Sequence, residues 1–403
     1  MKMAKILVLG GGISGLSAAW FLREKYPDAE ITLLEKEKRL GGWIHTENGL
    51  EKGPRTFQAG RSPHLLALIS ALGLEKERIN SDPSASIRYL WHRGKLRTAT
   101  SFLPGLLPAL FREFWIQPSQ KEDESIWEFA SRRFSPKIAD TLFDPITLGI
   151  FAGDIRTLSM RSCFPKLFAW ERETGSLMRG FFSHRSTQPK GLFSLKGGME
   201  TLIRALREQL SIEIVLDCEV ESLTTSGVRA GGRTWSADWI FSALPAPIAG
   251  RFGKESFKMN SLFVVNLVYE PDVLQKKGFG YLVPSQEKES LLGMIFDSSI
   301  FPAPYTILTA MVRAEAPDPV GVALDAASRH LGIEQKPLSQ SLFCGKEAIP
   351  QFEVGFWQKI ARFEAEMKQR YPHLFLLGNY FEDPSVEGCI RRSYQVTKLF
   401  TTN

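Results

Sequence analysis

The stretch Lys5-Ile6-Leu7-Val8-Leu9-Gly10-Gly11-Gly12-Ile13-Ser14-Gly15 decides the fold. Its first five residues read as a short buried strand, and the glycines run straight into Leu16-Ser17-Ala18-Ala19-Trp20-Phe21-Leu22, which reads as a helix. Strand, glycine turn and helix open a Rossmann-like unit. Gly10, Gly12 and Gly15 fit G-x-G-x-x-G: one glycine makes the tight turn, the next admits a pyrophosphate to the backbone, and the third lets helix and strand pack closely. The pyrophosphate is expected on the free N–H groups of the helix N-terminus. A second strand, Ile31-Thr32-Leu33-Leu34, ends in Glu35. That carboxylate lies about 20 residues past the last glycine, where it accepts ribose hydroxyls. Dinucleotide binding is the expectation.

Working outward, 403 residues with 43% hydrophobic and 11% aromatic content support two or three domains with real cores. The net charge of +6 suits a partner bearing carboxylates, or an anionic membrane surface. The basic residues are scattered rather than blocked, so no nucleic acid partner is expected. Cys163, Cys218, Cys344 and Cys389 form no C-x-x-C pair and read as reduced thiols of a cytoplasmic protein. The six histidines have no metal-ligand spacing, and no metal is expected. Neither a signal peptide nor an apolar span of about 18 residues is expected, so any membrane contact lies on the surface.

Past Glu35 comes Lys36-Glu37-Lys38-Arg39-Leu40-Gly41-Gly42-Trp43. A nicotinamide unit does not need this second glycine pair, whereas a longer flavin cofactor needs a second close backbone approach. The expected cofactor is therefore FAD. Gly53-Pro54-Arg55-Thr56-Phe57 reads as an irregular turn in which Arg55 is either a flavin or substrate contact or a surface ion pair. Leu65 to Leu72 has helical spacing, and Ser86 to Trp91 alternates as a strand before a Gly94 turn. From Phe102 to Ile116 the chain is strongly apolar, punctuated by Pro and Gly, and flanked by Arg97, Arg112 and Lys121. Such a stretch fits either a membrane interface or an internally packed helix pair.

Residues 98 to about 185 read as a mainly helical insertion. Ile212–Leu216, Glu219–Leu223 and Trp239–Ser242 read as strands returning to the nucleotide domain, as does Leu374 to Asn379, followed by a helix from Val386. The runs Leu262–Tyr269, Tyr281–Val283, Leu291–Phe296 and Thr306–Val312 suggest an antiparallel sheet. The fold class is α/β, α+β overall: a Rossmann-like FAD-binding domain, an antiparallel-sheet substrate domain and a helical insertion. The expected FAD-binding domain takes 1–80, 191–250 and 367–403, the substrate domain 81–97 and 251–366, and the helical domain, a candidate for membrane association, 98–190.

The chain resembles the protoporphyrinogen oxidases, within the superfamily of monoamine oxidases and phytoene desaturases. The resemblance is carried by Gly10 to Gly15, Arg39-Leu40-Gly41-Gly42-Trp43-Ile44, Gly53-Pro54-Arg55, Leu148 to Asp154, Leu158-Ser159-Met160-Arg161, Phe164-Pro165-Lys166-Leu167, Ser194 to Met199, Ile349-Pro350-Gln351-Phe352 and Gly378-Asn379-Tyr380. It implies FAD contacts from Gly10, Gly11, Gly12, Ile13, Ser14, Gly15, Glu35, Lys36, Trp43, Gly53, Pro54, Arg55, Thr56, Val220, Trp357, Asn379, Pro384, Ser385 and Val386. It further implies an apolar substrate pocket at Gly149, Phe279, Leu282, Ile295 and Met311, with Arg88 gripping a substrate propionate. No catalytic side chain is implied, because the hydride transfer is flavin-driven.

The implied reaction is oxidation of protoporphyrinogen IX to protoporphyrin IX by dioxygen in three two-electron steps, with hydrogen peroxide released, in haem biosynthesis. Implied partners are the porphyrinogen substrate, dioxygen, a peripheral contact with anionic membrane at the inner face of the cell membrane, and a chelatase taking the product. A porphyrinogen is a large apolar macrocycle with carboxylates on one edge, which an apolar pocket with an arginine fork suits. By spacing alone, Phe279, Leu282, Ile295 and Met311 read as ordinary core.

The chain departs from the family at Asp383-Pro384, before the last helix, at Phe356, where a histidine is common, and in shortened connections around 298 to 345. Competing readings are coproporphyrinogen III oxidation, another flavin amine oxidase or desaturase, and a non-catalytic binding protein of the GDP-dissociation-inhibitor kind, which shares the architecture.

Overall fold

A computed structural model describes residues 4–184 and 191–401. Its principal strands, in chain order, are β1 (Lys5–Leu9), β2 (Glu30–Leu34), β3 (Arg88–His92), β4 (Lys95–Thr98), β5 (Glu213–Val215), β6 (Trp239–Ser242), β7 (Met259–Tyr269), β8 (Gly280–Leu282), β9 (Leu291–Ile295), β10 (Thr306–Arg313), β11 (Ser339–Pro350) and β12 (Leu374–Leu376). Its helices include α1 (Ile13–Lys25), α2 (Pro63–Ala71), α3 (Leu103–Glu113), α4 (Ile126–Arg133), α5 (Pro165–Thr174), α6 (Leu177–Ser183), α7 (Glu200–Gln209), α8 (Pro319–Leu331), α9 (Phe356–Arg370) and α10 (Val386–Leu399). The chain forms two compact units, Met1–Ile79 with Pro189–Lys258 and Gln358–Asn403, and Asn80–Gln188 with Met259–Trp357. The boundary expected at residue 190 and the outermost ends of the chain lie outside the described residues.

In the first unit, β5, β2, β1, β6 and β12 form a parallel sheet in that order. Its strands are apolar runs because both faces are covered. Ile6, Val8, Ile31, Leu33 and Phe241 pack with Leu16 and Leu22 of α1, Leu202 and Leu206 of α7, and Ile390 of α10. The C-terminal segment thus completes the N-terminal sheet, and Ser393 Oγ of α10 donates to Ser14 O at 2.8 Å. The strand expected over 219–223 forms at Val220–Thr224 but does not enter this sheet. It pairs antiparallel with Gly227–Ala230, which pairs with Arg233–Ser236. Gly231 and Gly232 take positive φ there and turn the chain into a hairpin before it can cross back.

The second unit holds a seven-stranded sheet ordered β11-β7-β10-β9-β8-β3-β4. The expected antiparallel sheet is mixed, since β8 runs parallel to β3, Gly280 opposite Arg88. The β3–β4 hairpin comes from far earlier in the chain, so no tight turn sets its direction against β8. β11 was not foreseen from Ser339-Gln340-Ser341-Leu342-Phe343-Cys344-Gly345. It is an edge strand with half of its residues exposed and only two buried, so pairing to β7 rather than a hydrophobic period defines it. One face of the sheet, with Tyr281, Met294, Ala310 and Val312, is sealed by Ala323, Ala326 and Ala327 of α8.

The helical segment is built around buried charge. Arg133, Glu113 and Glu171 have fully buried side chains. Glu113 accepts from Arg133 Nη1 at 3.0 Å, Ser176 Oγ at 2.6 Å and the Leu177 N–H at 2.7 Å, so one carboxylate joins α3 and α4 to the start of α6. Arg133 Nε donates to Glu171 of α5, and its Nη2 to Gly175 O at 3.0 Å. Breaking one partner of a buried ion set costs far more than the set contributes, because it strands the remaining charge. Arg133→Leu is expected to lower stability by about 3–5 kcal/mol. Lys121→Ala, losing only an exposed pair with Glu128, should change stability little. Chemical denaturation of both variants checks the contrast; equal losses would contradict it.

Candidate functional site

β1 enters its turn at Gly10, whose φ of +96° suits glycine. A Cβ there would stand 3.0 Å from Ala243 O, and one at Gly15 only 1.9 Å from Gly10 O. Neither position accepts a side chain, so α1 leaves the turn pressed against β1. Gly12 is different: a Cβ there would meet nothing nearer than Gly42 Cα at 3.9 Å. Gly12 is the N-cap of α1, with extended backbone, no side-chain cap and no acid in the first turn. The first intrahelical bond is donated by Leu16 N–H to Gly12 O at 2.9 Å. The amides of Ile13, Ser14 and Gly15 therefore precede the helix ladder, at the positive end of its dipole. The space over Gly12 is a cradle that one methyl group would begin to fill, and it fits the diphosphate of a dinucleotide cofactor.

Glu35, at the end of β2, is buried. Its Oε2 accepts the Gly11 N–H at 2.5 Å and its Oε1 the Glu37 N–H at 2.8 Å. Two backbone amides hold the carboxylate in place, and each oxygen keeps acceptor capacity for a hydroxyl. Lys36 turns to solvent and pairs with Glu37 at 3.4 Å. Gly41 N–H donates to Gly11 O at 2.8 Å, laying the second glycine pair alongside the first turn. Sequence reasoning gave Arg39 no role of its own, but its guanidinium braces this loop. Nη1 donates to Leu40 O and Ile44 O at 3.1 and 3.2 Å, and Nη2 to Gly42 O at 2.6 Å. An arginine directly before Leu-Gly-Gly was the available signal.

Gly53 packs on the Trp43 backbone, since a Cβ would lie 2.1 Å from Trp43 O. These two expected contacts are therefore neighbours, with Trp43 38% exposed. Pro54 and Thr56 are half-buried. Arg55 is 6% exposed, with Nη2 3.5 Å from Glu51 O, which excludes a surface ion pair. Val220 is buried at the start of the small antiparallel sheet.

Asn379 follows β12, and Pro384, Ser385 and Val386 start α10. Asp383 is exposed and accepts the Ser385 N–H at 3.1 Å, while Ser385 Oγ caps α10 through the Gly388 N–H at 3.0 Å. The departure at Asp383-Pro384 thus builds a capped helix entry. Glu387, buried in the first turn of α10, accepts the His64 and Leu65 amides at 3.2 and 2.9 Å and so caps α2. Tyr380 is fully buried, its hydroxyl unpartnered among the described residues, and burial pushes its pKa up. Trp357 falls in the second unit, where the Arg161 guanidinium lies 3.7 Å over its ring.

The expected substrate residues all lie in the second unit. Arg88 pairs with Gly280, Gly280 with Ile295; Leu282 pairs with Gly293, and Gly293 with Met311. Alternation places Arg88, Leu282, Ile295 and Met311 on one face of the sheet, opposite the face sealed by α8. Leu282, Ile295 and Met311 are half-buried, unlike Tyr281, Met294 and Val312 beside them, so they are not ordinary core. Arg88 is exposed, yet its guanidinium lies 4.3 Å over the half-buried Phe279 ring. Packed neighbours displace some of its water and draw its pKa down. Gly149 abuts Leu282, whose Cδ2 would stand 2.6 Å from an added Cβ.

A dinucleotide cradle with a second glycine approach in one unit, and an apolar, cation-bearing sheet face in the other, fit a cofactor-dependent oxidoreductase. The family described as flavin containing amine oxidoreductase matches residues 13–316. The chain is 32% identical to protoporphyrinogen oxidase of Bos taurus and 31% identical to that of Homo sapiens, covering 97% of this chain and of each relative. It is 26% identical to coproporphyrinogen III oxidase of Bacillus subtilis, over 96% of this chain and 95% of the relative. A crystallised protein of Exiguobacterium sp. 255-15, provisionally named a protoporphyrinogen oxidase, shares the fold with a TM-score of 0.85 at 22% identity, over 99% of this chain and 98% of that one.

The chain therefore belongs to the flavin-containing amine oxidoreductases, on the branch of the protoporphyrinogen oxidases. It is a flavin-dependent oxidoreductase, and the reading as a non-catalytic binding protein is set aside. Gly12→Val should occupy the cradle without straining the extended backbone. Losing one charge-assisted bond to the diphosphate costs about 1.5–3 kcal/mol, roughly ten- to a hundredfold in affinity. Flavin titration followed by absorbance measures the loss; wild-type affinity in the variant would place the diphosphate elsewhere.

Proposed function

We propose that the chain binds FAD and oxidises protoporphyrinogen IX to protoporphyrin IX, with dioxygen as acceptor and hydrogen peroxide as the reduced product, in three two-electron steps of haem biosynthesis. The observation that carries the substrate reading is the open sheet face. Three apolar side chains stay half-buried on it, beside one arginine stacked on Phe279. A macrocycle with propionates on one edge needs that pattern: a flat apolar support, and a fork at one end. The protoporphyrinogen oxidase relatives support the same reading.

In this reading residues 1–80, 191–250 and 367–403 bind FAD, 81–97 and 251–366 bind substrate, and 98–190 form the helical domain. Gly10 to Gly15 hold the diphosphate, Glu35 the ribose hydroxyls, Gly53 to Thr56 and Trp43 the region nearer the ring, and Asn379 with Pro384 to Val386 the side facing the flavin. Lys36, Val220 and Trp357 complete the contacts. Bound flavin supplies a two-electron acceptor. The protein's own part is positional: Arg88 grips a carboxylate, and Leu282, Ile295, Met311 and Phe279 support the ring and exclude water. Gly149 leaves Leu282 the room it occupies. No side chain is assigned to acid–base chemistry, because the electron-rich pyrroles assist hydride loss themselves.

The partners in this reading also include an anionic membrane and a chelatase that receives the porphyrin. Leu107, Phe111 and Trp115 are 62%, 68% and 65% exposed at α3 and just past its end. No helix among the described residues is long and apolar enough to cross a membrane, so α3 would lie on the surface. Coproporphyrinogen III is the competing substrate, supported by the Bacillus subtilis relative.

Feeding each porphyrinogen separately to flavin-loaded protein under air, and following porphyrin fluorescence, is expected to give faster turnover of protoporphyrinogen. Turnover of neither rejects the reading, and preference for coproporphyrinogen reassigns the substrate. Arg88→Ala should raise KM roughly ten- to a hundredfold, the worth of a charge-assisted pair, at normal flavin content. An unchanged KM would return Arg88 to a structural role.

A further inference from the structure

His330, in the last turn of α8, has a fully buried side chain packed against two strands that no turn connects. Its ring stacks on Trp91 of β3, with centroids 3.7 Å apart and an interplanar angle of 20°. Its Nδ1 lies 2.9 Å from the Tyr281 hydroxyl of β8, and its Nε2 lies 3.3 Å from Glu289 Oε1, between β8 and β9. One side chain thus touches both members of the parallel β3–β8 pair. That pair carries Arg88 opposite Gly280 and Leu282 opposite Leu90 on its other face. Phe279, directly before β8, donates its N–H to Ile87 O at 2.8 Å and stacks under the Arg88 guanidinium.

The partners decide where the protons lie. The Glu289 carboxylate only accepts, so Nε2 carries the proton that faces it. A neutral imidazole then leaves Nδ1 as an acceptor, and the Tyr281 hydroxyl donates to it. Burial pushes the tyrosine pKa well above its ordinary value, so that hydroxyl keeps its proton. Among the described residues, the charged groups around the ring are Glu289 and, from α8, Arg329 and Asp325. Arg329 pairs with Glu289 at 3.3 Å and with Asp325 at 2.7 Å, while β3 and β8 bring the Trp91 ring and the tyrosine. Burial is the largest influence and draws the His330 pKa below its ordinary 6.5, against the pull of the carboxylates. The ring is therefore mainly neutral at pH 7.

We propose that His330 is a positioning residue for the substrate: by joining Trp91 to Tyr281 it fixes β3 against β8, and so holds Arg88 in register with Phe279 and Leu282. The assignment rests on the porphyrinogen reading and adds the device that aligns the carboxylate grip with the apolar support. The same chemistry makes the device sensitive to acid. A proton on Nδ1 turns that atom into a donor, and the buried Tyr281 hydroxyl loses its acceptor. With the folded pKa below the unfolded one, the unfolded chain takes up the proton first. The stabilisation is complete above about pH 6.5 and is lost as pH falls through the folded pKa. One neutral hydrogen bond is worth roughly two- to tenfold in an equilibrium constant.

The test is the Kd of protoporphyrin IX on flavin-loaded protein, followed by porphyrin fluorescence from about pH 8 to about pH 5.5. Wild type should bind roughly two- to tenfold more weakly at the acid end. Tyr281→Phe removes only the hydroxyl, so it should show that loss already at the alkaline end and change little in acid. His330→Gln keeps an acceptor and a donor but cannot titrate, so it should match wild type at the alkaline end and hold that affinity in acid. Flavin absorbance reports folding, and either variant decides by itself if the other does not fold. Wild-type Kd values throughout in Tyr281→Phe overturn the proposal, as does an acid loss in His330→Gln as large as in wild type. Equal weakening of His330→Gln at every pH reduces His330 to packing and also overturns it. A wild type that binds no porphyrin and turns over neither porphyrinogen overturns the porphyrinogen reading and this assignment together.

Discussion

A missing side chain governs the nucleotide unit. With 1.9 Å between a Gly15 Cβ and the Gly10 carbonyl, any other residue would lever α1 off β1. Because the helix stays down, its first-turn amides come to the edge of the parallel sheet, over the Gly12 opening. The elements around it refer to that position. Gly41 N–H reaches Gly11 O, Glu35 holds the Gly11 amide, and Arg39 fastens the carbonyls of Leu40, Gly42 and Ile44. Backbone thus lines the opening where side chains would fill it, while side chains work behind the backbone to fix its path.

The seven-stranded sheet solves a different problem with its period of two. One face must bury a core, while the other must stay apolar without being filled. Register separates them: Tyr281, Met294 and Val312 go under α8, and their neighbours Leu282, Ile295 and Met311 stay half-buried on the other side. A slip of one residue would exchange the two sets. Gly293 and Gly149 supply room around Leu282, with Cβ positions 3.1 and 2.6 Å from its Cδ2. The stacking of Arg88 on Phe279 then holds a cation at the end of an apolar surface, where a solvated side chain would sweep a wide volume.

Legibility in the sequence followed how local each cause was. The strand–glycine–helix opening, Glu35 and the C-terminal return were readable because short-range sterics and spacing determine them. Leu282, Ile295 and Met311 were not separable from core by spacing, since the two faces of this sheet are equally apolar in sequence. Only the resemblance singled them out, and only register shows which face they share. The strand at Val220 was misplaced because its pairing to Gly227–Ala230, not its own apolar run, assigns it to a separate sheet. β11 went unread because an edge strand has no obligatory hydrophobic period. The parallel β3–β8 pairing was invisible for the same reason: nothing local to either strand records the other.

The apolar run from Phe102 to Ile116 shows how a buried charge can set what a surface displays. A stretch this hydrophobic would ordinarily turn inward. On α3, however, Glu113 points almost opposite to the line through positions 107 and 111, by the 100° step of a helix. Its carboxylate is committed to Arg133, Ser176 and the Leu177 amide in the interior of the helical segment. Rotating α3 to bury Leu107 and Phe111 would pull that carboxylate from its partners and leave Arg133 with Glu171 alone of its two buried carboxylates, a loss of about 3–5 kcal/mol. Burying two large apolar side chains returns a similar amount, at about 1.5–3 kcal/mol each, and so does not clearly overcome it once α3's other contacts are also broken. The ion set orients the helix, and the orientation leaves its apolar face outward.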